Sequence, residues 1–383
     1  MVVNLSKNSN RATLSYWELK TYFKTYDLIV VGSGIVGLNA ALTFKKKNKK
    51  ANILVLEKGL LPSGASTKNA GFSCFGSVSE LLSDLGKMSE KNVWETVKMR
   101  WDGLHLLRQT LGDKNMKYEE LGGYEVFDSK KKFESCSDKI SLLNDELKKV
   151  IGRKNIYSVA TKQNKRFGFK NCEGIILNKY EGQLDTSFTM DKLRQLVNDN
   201  GIQILNGIDV SKLKDHGNFV ELQSNLGNFK SKKVIVAING FAKELLKVKD
   251  VEPARAQVLI TKPIKNLKLK GAFHYDEGFY YYRNIDNRVL LGGGRNLDFK
   301  KETTSKIAVT LKIQNRLEWL LKSMILPETP FEIEHRWAGI MGVGAEKKPI
   351  IRHYTNNIVC AVRMGGMGVA IGSLVGKKAA EMV

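Results

Sequence analysis

The sequence predicts an α/β fold: a discontinuous Rossmann-like dinucleotide-binding domain plus an α+β second domain with a mainly antiparallel sheet. Three observations predict it. A glycine-patterned turn joins a strand to a helix near the start of the chain, a second glycine-rich turn enters a helix near its end, and β-rich runs with turn signals lie between them.

The first turn lies in YDLIVVGSGIVGLNAALTF, residues 26–44. Asp27 to Val31 is a short apolar, β-branched run ending at a glycine, which suits a buried parallel strand, and from Ile35 onward apolar positions keep helical spacing. Gly32 permits the tight turn. Gly34 lets backbone N–H groups approach a phosphate with no Cβ in the way, and Gly37 lets the helix pack close to the strand. The helix N-terminus then faces the anion. After the basic loop Lys45 to Lys50, a second apolar run, Ile53 to Leu56, ends at Glu57, 20 residues beyond Gly37. A carboxylate there accepts both ribose hydroxyls and repels a 2′-phosphate, which disfavours NADP. The competing reading of Leu28 to Phe44 is a membrane span, but the run falls short of the roughly 20 residues a bilayer requires. It is also broken by glycines, Ser33 and Asn39.

Ahead of this unit, Ser15 and Glu18 fit a capping box that starts a short helix. Residues Ser79 to Leu111 and Lys139 to Val150 read as helices. In LDTSFTMDKLRQLVNDNG, Thr186, Ser187 and Thr189 are possible caps of a helix that stops at Gly201. The strand-like runs Ile202 to Leu205 and Lys233 to Ile238 return the chain to the nucleotide sheet. From Val251 the texture changes: ARAQVLITKP, GFYYYRN and NRVLLGGG are β-rich runs separated by turn signals such as Asp286-Asn287, which suggests antiparallel strands. The expected division is a nucleotide-binding domain of residues 1–98, 183–250 and 335–383, with a substrate domain of 99–182 and 251–334.

With 383 residues and 42% hydrophobic content, the chain can bury a sizeable core in two domains. MVVNLSKNSN has neither an apolar h-region nor a cleavage site, so the expected location is cytoplasmic. Cys74, Cys136, Cys172 and Cys360 are scattered and form no ligand spacing with the five histidines, which gives free thiols and no metal site. The net charge of +23 admits a polyanionic partner such as tRNA. The lysines, however, are spread widely rather than interleaved with aromatics in a stripe, so nucleic acid is a possible partner and not the favoured one.

The C-terminal loop separates the cofactors. A nicotinamide enzyme needs one phosphate turn, whereas a buried flavin also needs its ring held. RMGGMGVAIG places Gly365, Gly366 and Gly368 just before a helix, where backbone N–H groups and the positive helix end can face the pyrimidine side of a flavin.

With these residues in view, the chain resembles the D-amino-acid oxidase-like, FAD-dependent oxidoreductases, most closely the gamma-glutamylputrescine oxidoreductase and glycine oxidase branch. The carriers are DLIVVGSGIVG with Glu57, GASTKNAGF, VIVAING, FYYYRNIDNRVLLGGG, RWAGIMG with KKPII, and GGMGVAIG, spanning about residues 15–383. The resemblance implies FAD as cofactor. Gly32, Gly34 and Gly37 would wrap the pyrophosphate, with Glu57 at the adenosine ribose and Lys58 beside it. Ser66 and Asn69 would contact pyrophosphate or the flavin edge, Val210 would present its backbone to adenine, and Gly366, Met367 and Gly368 would meet the pyrimidine end. It also implies Tyr280 and Tyr282 as substrate-facing, although a slip of one residue would bring Tyr281 and Arg283 to that face. Cys74 and Phe75 can line the ring.

Two departures from the family pattern bear on substrate and acceptor. Met341 stands in the turn after the Trp-x-Gly, where family oxidases carry an arginine that clamps an α-carboxylate, which makes Met341 a pocket residue and a simple α-amino acid a poorer substrate. No lysine stands near Leu290, where some family oxidases activate oxygen, so the acceptor is left as O2 or another. Arg255, His274 and His335 read as structural. The expected activity is oxidation of the C–N bond of a small-molecule amine or N-substituted amino acid to an imine by hydride transfer to flavin N5, which requires orientation more than an acid or base. Three alternatives stay open: an RNA-directed, tRNA-modifying flavoprotein, a nicotinamide dehydrogenase, and a flavin binder without turnover.

Overall fold

A computed structural model describes residues 14–383; residues 1–13, and with them the stretch MVVNLSKNSN, lie outside the described residues. Among the described residues no helix is long and apolar enough to cross a membrane. The short helix Tyr16–Tyr22 starts at Ser15 with a reciprocal capping box to Glu18.

Two eight-stranded sheets organise the chain. In the first, Thr25–Val31 sits centrally between Ile53–Leu56 and Gly227–Val236, both parallel to it, and Gln203–Leu205 and Ile358–Val362 extend the parallel sheet on either side. The central strands are apolar almost throughout because helices cover one face and further packing the other. Leu28 and Val30 belong to one core cluster, Ile29 and Val31 to another.

The second sheet runs Ile333–Val343, Glu252–Thr261, Arg288–Gly293, Tyr280–Ile285, Ala272–Tyr275, Gly123–Phe127, Gly174–Asn178 and Tyr157–Val159. Its pairs are antiparallel except Ala272–Tyr275 with Gly123–Phe127. One difference from the sequence expectation concerns the boundary at 335. Ile333–Val343 pairs along its length with Glu252–Thr261, so that boundary falls inside an edge strand of the second sheet. The long ladder decides its place, and the chain joins the first sheet only at Ile350–Thr355.

Local chemistry sets the helix ends. Residues 79–111 form two helices, Val78–Leu85 and Glu90–Leu111, because Ser89 caps the second after the break at Gly86. The helix Thr186–Asp199 is capped by Asp185, whose carboxylate accepts from the Ser187 and Phe188 N–H groups, in place of the hydroxyls expected from sequence.

The two glycine-entered helices, Ile35–Lys47 and Gly368–Glu381, pack directly together. A Cβ on Gly376 would stand 2.3 Å from the Val36 carbonyl oxygen, and one on Gly372 would stand 2.9 Å from the Ile35 side chain. The absence of side chains at these positions is what brings the two helices to backbone contact.

Candidate functional site

A cavity of about 1150 Å3 runs between the first sheet and the second. It exceeds the roughly 300–1,000 Å3 typical of a drug-sized ligand's pocket, as an extended dinucleotide requires.

At one end, the strand Thr25–Val31 turns at Gly32, whose φ of +106° suits glycine and whose added Cβ would meet the Ala237 carbonyl oxygen at 2.7 Å. Gly34 is the N-cap of Ile35–Lys47 and provides no side-chain cap, and the first turn holds no acidic residue. The Ser66 hydroxyl accepts from the Ile35 N–H at 3.0 Å, and the rest of this helix end opens on the cavity. Gly37 is not at the cavity. Its added Cβ would lie 2.0 Å from the Gly32 carbonyl oxygen, so it holds the helix against the turn.

Glu57 follows Ile53–Leu56 and is buried; its Oε2 accepts from the Ser33 N–H at 3.1 Å and hydroxyl at 2.7 Å, and its Oε1 from the Gly59 N–H at 3.0 Å. Those bonds aim a carboxylate at the cavity edge. Lys58 pairs with Asp209 at 3.0 Å on the rim, and Val210 lines the same end. Ser66 and Asn69 line the middle. The Asn69 amide is spent on its own loop: Nδ2 donates to the Ser66 carbonyl at 2.7 Å, and Oδ1 accepts from the Gly71 N–H and the Thr186 hydroxyl, each at 2.8 Å. Asn69 therefore shapes the loop.

At the other end, Gly365 and Gly366 take φ of +58° and +84°, and Gly368–Glu381 starts after Met367 without a side-chain cap or an acidic first turn. Gly366, Met367 and Gly368 line the cavity, as does Met341. Two helix ends without an N-cap side chain thus face one cavity, the first bonded only at its Ile35 N–H by Ser66, and each offers further N–H groups and the positive end of a dipole. The residues fit an FAD: an open glycine turn for a pyrophosphate, a carboxylate at the second strand for a ribose, and a second helix end for a ring that gains negative charge on reduction.

One face of the second sheet forms the wall. Trp337, Val258, Gly292, Tyr281, His274 and Glu125 are successive neighbours across six strands, which puts their side chains on the same face. A Cβ on Gly292 would stand 2.5 Å from the Tyr281 ring, so this glycine leaves the space the ring occupies. Phe72 meets Tyr281 edge to face, with centroids 5.6 Å apart. The Trp337 indole N–H donates to the Lys68 carbonyl at 3.0 Å and ties the wall to the GASTKNAGF loop.

This register corrects the assignment of Tyr280 and Tyr282. Both are 1% exposed and pack in the core behind the sheet, where Tyr282 stacks on Phe273 at 5.0 Å, while Tyr281 takes the cavity side. The physical reason is period-2 alternation. Arg283 shares the Tyr281 face and donates to the Gly71 and Leu184 carbonyls at 2.9 and 2.7 Å, bridging to the loop beside the cavity. Burial lowers the Arg283 guanidinium to about 10 and raises the Tyr281 phenol to about 12, so around neutral pH the wall holds one cation and one neutral phenol. Leu290 is buried against Ala70 and Val258.

Sequence reading missed Arg295. It follows the strand Arg288–Gly293, lines the cavity and is half-buried. Its guanidinium lies 4.9 Å from the Phe299 ring, its Nε has no hydrogen-bond partner, and burial pulls its proton affinity below that of an ordinary arginine. Phe279, Phe299 and Ile307 beside it are exposed, so this is an end of the cavity that reaches solvent.

Comparison with known proteins agrees with this geometry. The family model described as FAD dependent oxidoreductase matches residues 27–382. The chain is 22% identical over 382 residues to the Probable oxidoreductase OrdL of Haemophilus influenzae, covering 95% of this chain and 84% of that protein. It is similar to the solved structure of L-proline dehydrogenase from P. horikoshii, with a TM-score of 0.74, 16% identity, and coverage of 94% of this chain and 93% of the other. It is also similar to glycine oxidase from Geobacillus kaustophilus, with a TM-score of 0.74, 17% identity, and 92% of each chain covered. At such identities the structural likeness establishes the fold.

Proposed function

The chain belongs to the FAD-dependent oxidoreductase family, and on that premise we propose that it oxidises the C–N bond of an amine or N-substituted amino acid. The observation that carries the reading is one cavity that meets two helix N-termini whose N-cap residues, Gly34 and Met367, make no side-chain cap, and whose wall is the row through Val258, Gly292 and Tyr281. When bound, FAD supplies a two-electron acceptor at its ring. The chain's own part is binding, orientation and exclusion of water. Gly32 to Ile35, Glu57 and Val210 hold the nucleotide half, and Gly366 to Gly368 stabilise negative charge on the reduced ring. Phe72, Val258, Tyr281 and Met341 give a neutral amine an apolar surface on which to lie. The proteins named above as proline dehydrogenase and glycine oxidase act, by their names, on substrates with a C–N bond next to a carboxylate, which supports the same class here.

Arg295 refines the substrate. Trp337, Gly339 and Met341 lie in the strand Ile333–Val343 rather than in the turn expected from sequence; no arginine stands at Met341, and the incompletely bonded guanidinium of Arg295 is free to take an anionic substituent carried away from the reacting nitrogen. The test is an anaerobic screen of the purified yellow protein against simple amines, N-substituted amino acids and gamma-glutamyl amines, read by loss of flavin absorbance. At least one of them should bleach the flavin, and none doing so would remove the reading. Arg295→Met should weaken half-saturation by carboxylate-bearing substrates roughly 10- to 100-fold, the equivalent of one charge-assisted hydrogen bond, and leave uncharged amines unaffected. Equal loss for both kinds would show that Arg295 recognises no anion.

A further inference from the structure

Beside the cavity wall, three side chains from distant parts of the sequence converge. Cys74 follows the strand Phe72–Ser73, Glu181 precedes Gly182–Gln183, and His274 lies in Ala272–Tyr275. One donor atom from each, thiol sulfur, carboxylate oxygen and imidazole nitrogen, lies within 4.8 Å of the other two, and among the described residues no other group of three metal-ligating side chains does this. Cys74 and His274 line the cavity; Glu181 backs them at 1% exposure.

The carboxylate is fixed in place. Its Oε1 accepts from the Phe75 and Gly76 N–H groups at 2.9 and 3.2 Å. Its Oε2 lies where a Cβ on Gly123 would come within 2.0 Å, so the neighbouring strand is shaped to admit it. His274 Nε2 is 3.3 Å from Glu181 Oε2, within ion-pair range, and forms no hydrogen bond of ordinary geometry. The His274 ring is set by an edge contact with Phe72 at 5.4 Å. The surroundings favour a cation: Glu80 and Glu125 also act on His274, and the nearby Arg100 is engaged by Glu80 at 3.0 Å.

We propose that Cys74, Glu181 and His274 form a three-ligand site for Zn2+ or a similar borderline divalent ion, with its fourth position open to the cavity. Sulfur, imidazole and carboxylate suit zinc, and three protein ligands with one open position is the arrangement of an accessible zinc site. Binding forms sulfur–, nitrogen– and oxygen–metal bonds and releases to solvent the thiol proton and any proton that the His274 imidazole carries; no electron moves. An ion here sits on the wall beside Tyr281, so it narrows the space in which substrate lies and makes the protein zinc-inhibitable.

The test uses the flavin-loaded protein and needs no substrate. Calorimetry with Zn2+ should give one ion per chain and, at a pH where the free thiol is protonated, release of the thiol proton together with whatever proton the His274 imidazole carries at that pH. Co2+ in place of Zn2+ should give visible bands of a tetrahedral, thiolate-bound ion to the red of the flavin spectrum. Cys74→Ser and His274→Gln should each weaken binding roughly 100-fold or more, since loss of a ligand exceeds the 10- to 100-fold loss usual for an outer partner. Each variant is first matched to the parent in flavin content and melting temperature, and the second keeps the test open if the first misfolds. Failure to bind, or Zn2+ binding as tight in both variants as in the parent, would overturn the proposal. So would Co2+ bands without thiolate character. These readouts stand whether or not an amine reduces the flavin.

Discussion

Gly34→Asp should give a folded but colourless protein. Gly34 caps the helix Ile35–Lys47 with no side-chain bond of its own, and aspartate is a better N-cap than glycine by a few tenths of a kcal/mol. Its Cβ would come within 2.9 Å of the Ser66 hydroxyl, which can rotate away and leave the Ile35 N–H to water in the open cavity, while the new carboxylate accepts from the Val36 or Gly37 N–H. Stability of the flavin-free protein should therefore change little. The same carboxylate stands where a pyrophosphate must sit, and a like charge at about 4 Å with an effective dielectric near 20 opposes binding by about 4 kcal/mol, close to a thousandfold in affinity. Flavin absorbance per purified chain, alongside the melting temperature, checks both halves. A yellow Gly34→Asp protein with full flavin content would show that no phosphate rests on this turn.

The second large effect concerns stability. Arg255 and Glu302 are 6% and 2% exposed and form a two-pronged pair, Nε to Oε2 at 2.8 Å and Nη2 to Oε1 at 2.9 Å, with the Gln257 amide donating to Oε2 at 3.0 Å. The pair ties Glu252–Thr261 to the segment carrying Arg295, Phe299 and Ile307 at the open end of the cavity. Arg255→Met leaves a buried carboxylate without a countercharge and should cost about 3–5 kcal/mol. In the parent, burial raises the Glu302 carboxyl but the Arg255 and Gln257 bonds overcome it, so the net shift is downward. A lowered carboxyl adds stability that is present above the unfolded value and is lost as pH falls through the folded one. In Arg255→Met the Arg255 bonds and charge are gone and only the Gln257 and Thr310 bonds still oppose burial, so the downward shift shrinks or reverses and the stability that Glu302 adds with rising pH is lost. The gap between the two proteins in urea midpoint should therefore be wider near pH 7 than near the carboxyl range of about pH 4. Arg255→Met with Glu302→Leu should recover most of the loss. A gap that is independent of pH would mean that Glu302 is not the group left stranded.

These cases show where the sequence was legible. The Gly32, Gly34 and Gly37 turn could be read because its whole logic is local: strand, turn and helix are contiguous, and each glycine answers a backbone demand. The Gly366 to Gly368 turn is equally local, and only its meeting with the first turn around one cavity needed the fold. Tyr280 and Tyr282 show the limit of alternation. It sorts a strand into two faces but does not say which one turns toward the core, and here the aromatic packing of Phe273 and Tyr282 took one face while Arg283 anchored the other to the loop. A buried arginine in the strand was the available signal, since it must find carbonyl partners outside its own sheet. Arg295 was hidden because nothing local marks a guanidinium as half-bonded. Cys74, Glu181 and His274 are hidden more deeply, since their spacing in sequence obeys no ligand pattern and only the pairing of Ala272–Tyr275 with Gly123–Phe127 and the return of the chain at Glu181 bring them together.

A structure of the flavin-loaded protein tests the central claim most directly. It should show one extended FAD with its pyrophosphate at Gly32 to Ile35, its ribose at Glu57, and the pyrimidine edge of its ring at Gly366 to Gly368, facing Tyr281. A cofactor bound without contact to the Gly366 to Gly368 turn, or a ring turned away from the Tyr281 face, would contradict it.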